Sequence, residues 1–482
     1  MKRTVMAAAA AWLALCLVLG LVASRTQPTQ SPDENQHIAR AWLLAQGHWQ
    51  LQAPAGLMSG GEIDANFHVW IFGMLRGWAG ELELRSSPEW IAQLRQMRWR
   101  DDDRRAFIQI PGTGYYLPVI YAPQAIGLKV GHALGWTIEG SYRLARLLAQ
   151  MTTAALLVAA CLIARPWRPP ALALGMLMLP MSLFQFAAPT IDGITTGLAL
   201  VALALAWRHT VSGERMGAGA AVALAVTLGL LVTTRLHALP MLALPMLLAW
   251  RCRQPALALM AVGLLAATAL WTAWAGAHTV DTRIVREISS GAIARHYLLA
   301  PWEFVAVLGR TLAADPWREF MGHSFVGILG WLDTPMSPPA YEALGLGLLG
   351  LAAAPLAAAP FVMARGPVLA LRLACLGMAL VSALIVFAAL LATWTPHPAQ
   401  IIHGMQGRYM LLPALLASCA LLPPMPGPGS LLALRALPAQ QALAALGTPA
   451  IRGALVQWLA LAGFGALALT LLLSVLGPRY GT

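Results

Sequence analysis

VMAAAAAWLALCLVLGLVAS, residues 5–24, carries no charged side chain over its whole length. At about 1.5 Å of rise per helical residue it reaches across the roughly 30 Å hydrocarbon core of a bilayer. It runs continuously apolar, without the alternation that a membrane-barrel strand needs, so it reads as a helix. Comparable blocks recur to the end of the 482-residue chain, which is 59% hydrophobic and 11% charged. That is too little charge to cover a soluble globule, and the sequence predicts an all-α polytopic membrane protein forming one membrane domain over 1–482. Lys2-Arg3 ahead of the run would also fit a cleaved signal peptide. The run exceeds the usual ~7–15-residue signal core, however, and reads as a retained helix.

Working outward, the apolar blocks predict spans near 5–24, 146–164, 170–188, 194–207, 217–234, 238–250, 255–275, 342–363, 372–392, 408–424 and 455–475, about eleven helices. The blocks at 194–207 and 238–250 are short for a bilayer. With the N-terminus cytoplasmic, the inner loops hold Lys2 and Arg3, Arg165 and Arg168, Arg208 and Arg215, Arg251 and Arg253, Arg365 and Arg372, and, in a loop at 425–454, Arg435 and Arg452. Every inner loop is then basic, the positive-inside pattern. The long loops 25–145 and 276–341 face outward and carry interfacial helices. YYLPVIYAPQAIGLKVGHALG, Tyr115 to Gly135, reads as one of these surface helices because of Pro118, Pro123 and Lys129. The formal charge of +12 is spread as arginine pairs between spans, so nucleic acid is not an expected partner; the bilayer is. The five cysteines show neither a disulfide framework nor metal-ligand spacing.

Chemistry is expected on the outer side. In SPDENQHIAR (31–40), Asp33 and Glu34 follow the first span directly and precede an amphipathic stretch containing His37. Asp33 could simply cap that helix. Capping needs one carboxylate, however, and an adjacent pair can also accept a proton or share a Mg²⁺ or Mn²⁺ ion. Asp192 in FAAPTIDGITTG stands at a turn marked by Pro189 and Gly193, where it could be another helix cap. Arg235 and His237 in TTRLHALP end the fifth span; GHSFVGILGWLDTPMSPP holds His323, Trp331 and Asp333; HGMQGRYMLLP puts Arg408 and Tyr409 at the start of the tenth. An arginine at such depth either snorkels to the surface or holds an anion, and its planar fork suits a lipid phosphate. RWRDDDRRAF (98–107) resembles a metal-binding acidic pair, but its flanking arginines make it a self-paired solvated loop. No GxSxG, HExxH, phosphate-binding glycine loop or ATP-dependent transport signature is present.

SPDENQHIARAWLLAQG, YYLPVIYAPQAIG with RLARLL, LPMSLFQFAAPTIDGITTGLAL, GILGWLDTP and QGRYMLLP occur in that order. Together they resemble a bacterial family of predicted membrane proteins of unassigned function, related to the GT-C superfamily of polyprenyl-phosphate-sugar glycosyltransferases. The resemblance covers roughly 5–425. It implies a GT-C-like fold with an acidic motif in the first outer loop, here Asp33 and Glu34. Asp192 matches the aspartate of the second outer loop, and Arg408 the arginine of a Gly-Arg-Tyr motif. Arg235-Leu-His237 stands where relatives carry Lys-Pro and an aromatic.

The implied activity is an inner-membrane glycosyltransferase with its site facing the periplasm, moving a sugar from a polyprenyl-phosphate donor to a glycan or other envelope acceptor. Asp33 is then the expected base, with Glu34 and Asp192 beside it. Arg408, Arg235, His237, Tyr409, Asp333 and His37 are expected around the donor. A transporter or flippase of lipid-linked glycans, or a non-catalytic assembly scaffold, are the other readings; the first would need charges well inside the spans.

Overall fold

The computed structural model describes residues 2–78, 88–100, 102–164, 169–358, 366–423 and 448–480. Arg165, Arg168, Arg365, Arg435, Asp101 and most of the loop 425–454 lie outside the described residues.

The first apolar block forms α1 (Lys2–Ser24), and a turn leads from it into α2 (Glu34–Ala45). Strand β1 (Gly60–Asp64), α3 (Ala65–Trp78), α4 (Pro88–Gln96) and β2 (Arg105–Gln109) follow, with Gly60 opposite Gln109 and Asp64 opposite Arg105 in an antiparallel pair. A 3-10 turn at Pro118–Tyr121 runs into α5 (Ala122–Ala133). At about 18 Å this helix is too short to cross alone. It packs instead on α6 (Ile138–Ile163), where a Cβ on Gly127 would sit 2.4 Å from the Ala145 Cα; only glycine permits that approach. Thr137 caps α6 by accepting from the Gly140 amide.

The expected span at 170–188 is broken into α7 (Ala171–Leu177) and α8 (Pro180–Ala187), because Pro180 offers no N–H to continue the first helix. Next come α9 (Asp192–Ser212), closed by Gly213 at φ 69, then α10 (Ala218–Val232) and a 3-10 segment, Leu236–Leu242, leading into α11 (Ala243–Arg251). α12 (Pro255–His278) starts on proline, whose fixed φ suits a first helical position. The second long loop folds as α13 (Ser290–Leu299), α14 (Pro301–Ala313), α15 (Asp315–Val326) and a small antiparallel pair, β3 (Ile328–Leu329) with β4 (Thr334–Pro335). α16 (Pro338–Ala358), α17 (Gly366–Thr393), a 3-10 turn Gly407–Met410 with α18 (Leu411–Leu421), and the C-terminal helix Pro449–Tyr480 complete the order.

The protein is thus mostly helical, with two short strand pairs among the described residues that the continuous apolar pattern did not reveal. Among the described residues, six helices are long and apolar enough to cross a membrane: those at Val5–Ser24, Ile138–Ile163, Asp192–Ser212, Pro255–His278, Gly366–Thr393 and Ile451–Tyr480. Ala218–Val232, Leu236–Arg251 and Gly407–Leu421 are apolar but shorter. α9 is the central helix, with 83% of the residues in its 18-residue apolar stretch buried, whereas in α1 and α12 the corresponding shares are 11% and 17% and apolar side chains point outward. A helix buried all round needs no amphipathic stripe, and helices on the rim face lipid. α6, α8, α10, α11 and α17 surround α9, so residues at its first turn are held in the middle of the bundle.

Candidate functional site: a charged cavity at the helix breaks

A cavity of about 430 Å³ opens where several helices stop or start, a size within the range of small-molecule sites. Asp33 precedes α2, Asp192 begins α9, Arg235 follows α10, and Arg408 lies in the 3-10 turn before α18; all four line it. Irregular backbone among membrane helices is tolerated where it is buried in protein or borders a cavity. Gly407 fixes the last of these breaks. Its backbone lies so close to α15 that a Cβ there would meet the Met321 carbonyl and the Phe325 amide, and its N–H donates to Ser324 Oγ at 2.8 Å.

Asp33 is in the left-handed region, φ 63 and ψ 4, and its side chain caps nothing. A non-glycine residue held there is strained, and strain of this kind collects at functional sites. The carboxylate accepts from Arg408 Nη2 at 2.8 Å. The same guanidinium donates through Nε to Gln406 Oε1 at 2.6 Å. With its amide oxygen turned to Arg408, Gln185 accepts from Nη1 at 3.0 Å and donates to Asp192 Oδ2 and Ser31 Oγ, both at 3.2 Å. Asp192 Oδ1 in turn accepts from Arg235 Nη2 at 2.5 Å. Asp33, Arg408, Gln185, Asp192 and Arg235 therefore form one continuous chain of hydrogen bonds.

Aromatic rings pack this chain. Arg235 lies over Tyr116 at 5.5 Å, Arg408 over Tyr409 at 5.3 Å, and His37 stacks on Tyr116 while its Nδ1 shares a 2.7 Å hydrogen bond with the Tyr121 hydroxyl. Burial would raise the Asp33 carboxyl, but the charge of Arg408, joined by that of His37 only at the low pH where the imidazole is protonated, outweighs it and holds the group below its ordinary value. Burial pushes His37 down to about 4, against the pull of Asp192 and Asp33, so the imidazole is neutral at pH 7.

A second, narrower slot of about 60 Å³ adjoins this cavity. Asp192, Arg235, His237, Arg408 and Tyr409 border both. The rest of the slot is largely apolar: Met181 and Phe186 of α8, Ala199 one to two turns along α9, and Leu411, Leu412 and Leu415 of α18.

The expected acid pair is split. Glu34 is wholly buried and faces away from Asp33's partners: Oε1 accepts from the Thr29 amide at 3.0 Å and from the Tyr142 hydroxyl, and Oε2 from the Ser31 amide at 2.9 Å. It braces the turn that strains Asp33 and does not border the cavity. Asp33 and Asp192 are each committed to a guanidinium, and the described residues contain no group of three or more His, Cys, Asp or Glu side chains placed to hold a metal ion. This donor set does not fit the Mg²⁺ or Mn²⁺ expected at Asp33 and Glu34. Glu34→Gln removes a charge answered by three donors and is expected to lower stability by about 2–4 kcal/mol. Thermal unfolding of the purified protein in detergent checks this; an unchanged midpoint would contradict the bracing role.

Asp333 is likewise away from the cavity, paired with Arg479 at 2.7 Å and bonded to Thr334 Oγ1 beside the second strand pair. His323 stacks on Tyr341, and Trp331 donates to the Thr29 carbonyl at 2.9 Å. Asp102 pairs with Arg100 and Arg104 within its own loop. Gln185, Tyr116, Arg283 and Arg286 are site residues that the motif reading did not single out. Gln185 had a signal: with Ser182 it is a polar interruption of an apolar block. Arg146 also escaped notice; it donates to the Ala187, Ala23 and Thr26 carbonyls and so ties the C-terminal ends of α1 and α8 together beside the site.

No curated protein and no solved structure matches this chain. Residues 16–417, which contain Asp33, Asp192, Arg235 and Arg408, match a family described as predicted membrane protein (DUF2142), and the chain belongs to that family.

Proposed function

We propose that this protein is a GT-C-type glycosyltransferase of the bacterial inner membrane, with about eleven crossings and the N-terminus cytoplasmic. It takes a sugar from a polyprenyl-phosphate donor at the periplasmic face and delivers it to a cell-envelope acceptor. The observation that carries the reading is the sharing of Arg235 and Arg408 between a cavity lined by charged side chains and a largely apolar slot. A prenyl phosphate has the same two-part character, an anion joined to a hydrocarbon chain. Transfer is favoured over transport because no Asp, Glu, Lys or Arg occupies the middle of any of the six long helices.

In the reaction an acceptor hydroxyl oxygen bonds to the anomeric carbon as the carbon–oxygen bond to phosphate breaks. The hydroxyl proton passes to Asp33, and the electron pair leaves with the phosphate. A single displacement of this kind inverts the sugar carbon. Arg408, with Arg235, meets the charge growing on the phosphate oxygens. Asp192 and Gln185 hold both guanidiniums in place. Mass spectrometry of lipid-linked and surface glycans from a deletion strain tests the proposal. A lost sugar and an accumulated polyprenyl donor are expected; an unchanged glycan and lipid profile would contradict it.

The Asp33–Arg408 pair makes a pH prediction. At rest Arg408 keeps Asp33 ionised but weakly basic. A phosphate that draws Arg408 away removes the counter-charge, so Asp33 becomes more basic in the complex. The base works deprotonated, so activity is lost as pH falls through its pKa. The acid limb of kcat/KM, which reports the free protein, should therefore lie below about pH 4, and that of kcat at higher pH. Coincident limbs would contradict this exchange. Stability follows the same sign: the contribution of a depressed Asp33 is present above about pH 4 and fades as pH falls through its folded value.

A further inference from the structure

The cavity has another charged end. The loop after α12 brings Asp281, Arg283 and Arg286 to its wall. Asp281 holds Arg283 through both oxygens, at 2.9 and 2.6 Å, and the guanidinium lies 4.9 Å over the Trp394 ring, so its fork is fixed on two sides. Arg286 donates to the Ala392 carbonyl near the end of α17 and has no carboxylate at ion-pair distance among the described residues. The cavity thus sets Arg235, Arg283, Arg286 and Arg408 against Asp33, Asp192 and Asp281, one cation in excess, and the excess is at this end.

This end lies near the start of α2. A Cβ on Gly112 would be 3.3 Å from both Arg283 Nη2 and Gln36 Oε1, so Arg283 sits across from the first turn of α2, which follows Asp33. The apolar slot, by contrast, borders Arg235 and Arg408 but none of Asp281, Arg283 and Arg286. Arg283 and Arg286 therefore border the cavity beside the first turn of α2 and outside the slot that Arg235 and Arg408 share.

We infer that the Arg283–Arg286 end is an oxyanion subsite for the acceptor: the acceptor carries a phosphate or a carboxylate near its attacking hydroxyl. This rests on the transferase reading, in which the donor phosphate takes Arg408 and Arg235. An anion at Arg283 holds the acceptor in the cavity that Asp33 borders, at a place separate from the slot-side arginines that take the leaving phosphate. It exchanges with Asp281 for the Arg283 fork and supplies Arg286 with the charge it lacks.

The test is calorimetric titration of the full-length protein, purified in a neutral detergent, with inorganic phosphate and with glucuronate, and with glucose as the uncharged control. Arg283→Gln should weaken one anion by about tenfold, the loss of a charge-assisted fork. Asp281→Asn should tighten the same anion several-fold, because the competing carboxylate is gone. A folding defect cannot tighten binding, so these opposite shifts separate a subsite from a structural ion pair. A response to phosphate assigns a phosphorylated acceptor, and a response to glucuronate an acidic sugar. Affinities unmoved by both variants, or moved in the same direction, would overturn the inference. Arg408→Gln reads the donor side separately: if it leaves phosphate binding unchanged while Arg283→Gln does not, the donor assignment fails and the subsite stands.

Discussion

Asp33→Asn is expected to reduce sugar transfer by about a thousandfold while leaving the amount of folded protein in the membrane unchanged. General-base removal accounts for losses of roughly 10²–10⁴. The second half of the expectation comes from the backbone. Asp33 sits at φ 63, a region that Asn tolerates nearly as well as Asp, and the turn is held by Glu34 and not by the Asp33 side chain. An Asn oxygen can still accept from Arg408. Asp33→Gly gives a stricter version: it relieves the strain of a non-glycine residue in the left-handed region but leaves the buried Arg408 without its carboxylate, so transfer should be equally lost while abundance falls below that of Asp33→Asn. Glu34→Gln should behave in the opposite way to Asp33→Asn, losing abundance first. Radiolabelled sugar transfer in membranes, normalised to immunoblotted protein, reads all three, and retained transfer in Asp33→Asn would remove Asp33 from the base role.

Arg408→Lys is expected to lower kcat by about a hundredfold with a smaller change in KM. The substitution keeps the charge, so an effect of that size would locate the function in the fork. Arg408 serves three acceptors in one plane, Gln406 Oε1, Gln185 Oε1 and Asp33 Oδ2. An ammonium is a point charge on a flexible stem and cannot reach all three in fixed geometry. Alignment on the leaving phosphate is then lost mainly in the transition state, where its charge is greatest. Because Arg408 bonds directly to Asp33, the Asp33→Asn/Arg408→Lys double variant should fall well short of the product of the single losses. Steady-state kinetics with the lipid donor check this; a lysine variant with unaltered kcat would contradict it.

Much of this arrangement was legible in the sequence, for identifiable reasons. The run at 5–24 announced a membrane helix through length and apolarity alone, and Asp33, Asp192, Arg235 and Arg408 stood out because ionised groups beside apolar blocks are costly. That they meet was expected from the family resemblance and the shared outer side, but their individual partners were not legible, being far apart in the chain: Arg408 and Asp33 are separated by 375 positions. Neighbouring residues at a helix start point about 100° apart, and the left-handed turn at Asp33 adds to the divergence, so the sequence could not say that Asp33 faces the cavity while Glu34 is buried behind it. Asp333 was expected around the donor, yet Arg479 from the far end of the chain claims it. The break at Pro180 lay inside one continuous apolar block, where residue count favoured a single span. Asp281, Arg283 and Arg286 were hidden in a polar loop with no motif to mark them.

The central claim is that Arg408 and Arg235 form the seat of a lipid phosphate at the mouth of the apolar slot. Native mass spectrometry of the full-length protein with added undecaprenyl phosphate measures it without any acceptor or assumed sugar. One lipid per chain should stay bound to the wild type and to Asp281→Asn, and should be lost from Arg408→Gln and from Arg235→Gln. Equal lipid retention by all four proteins would contradict the account.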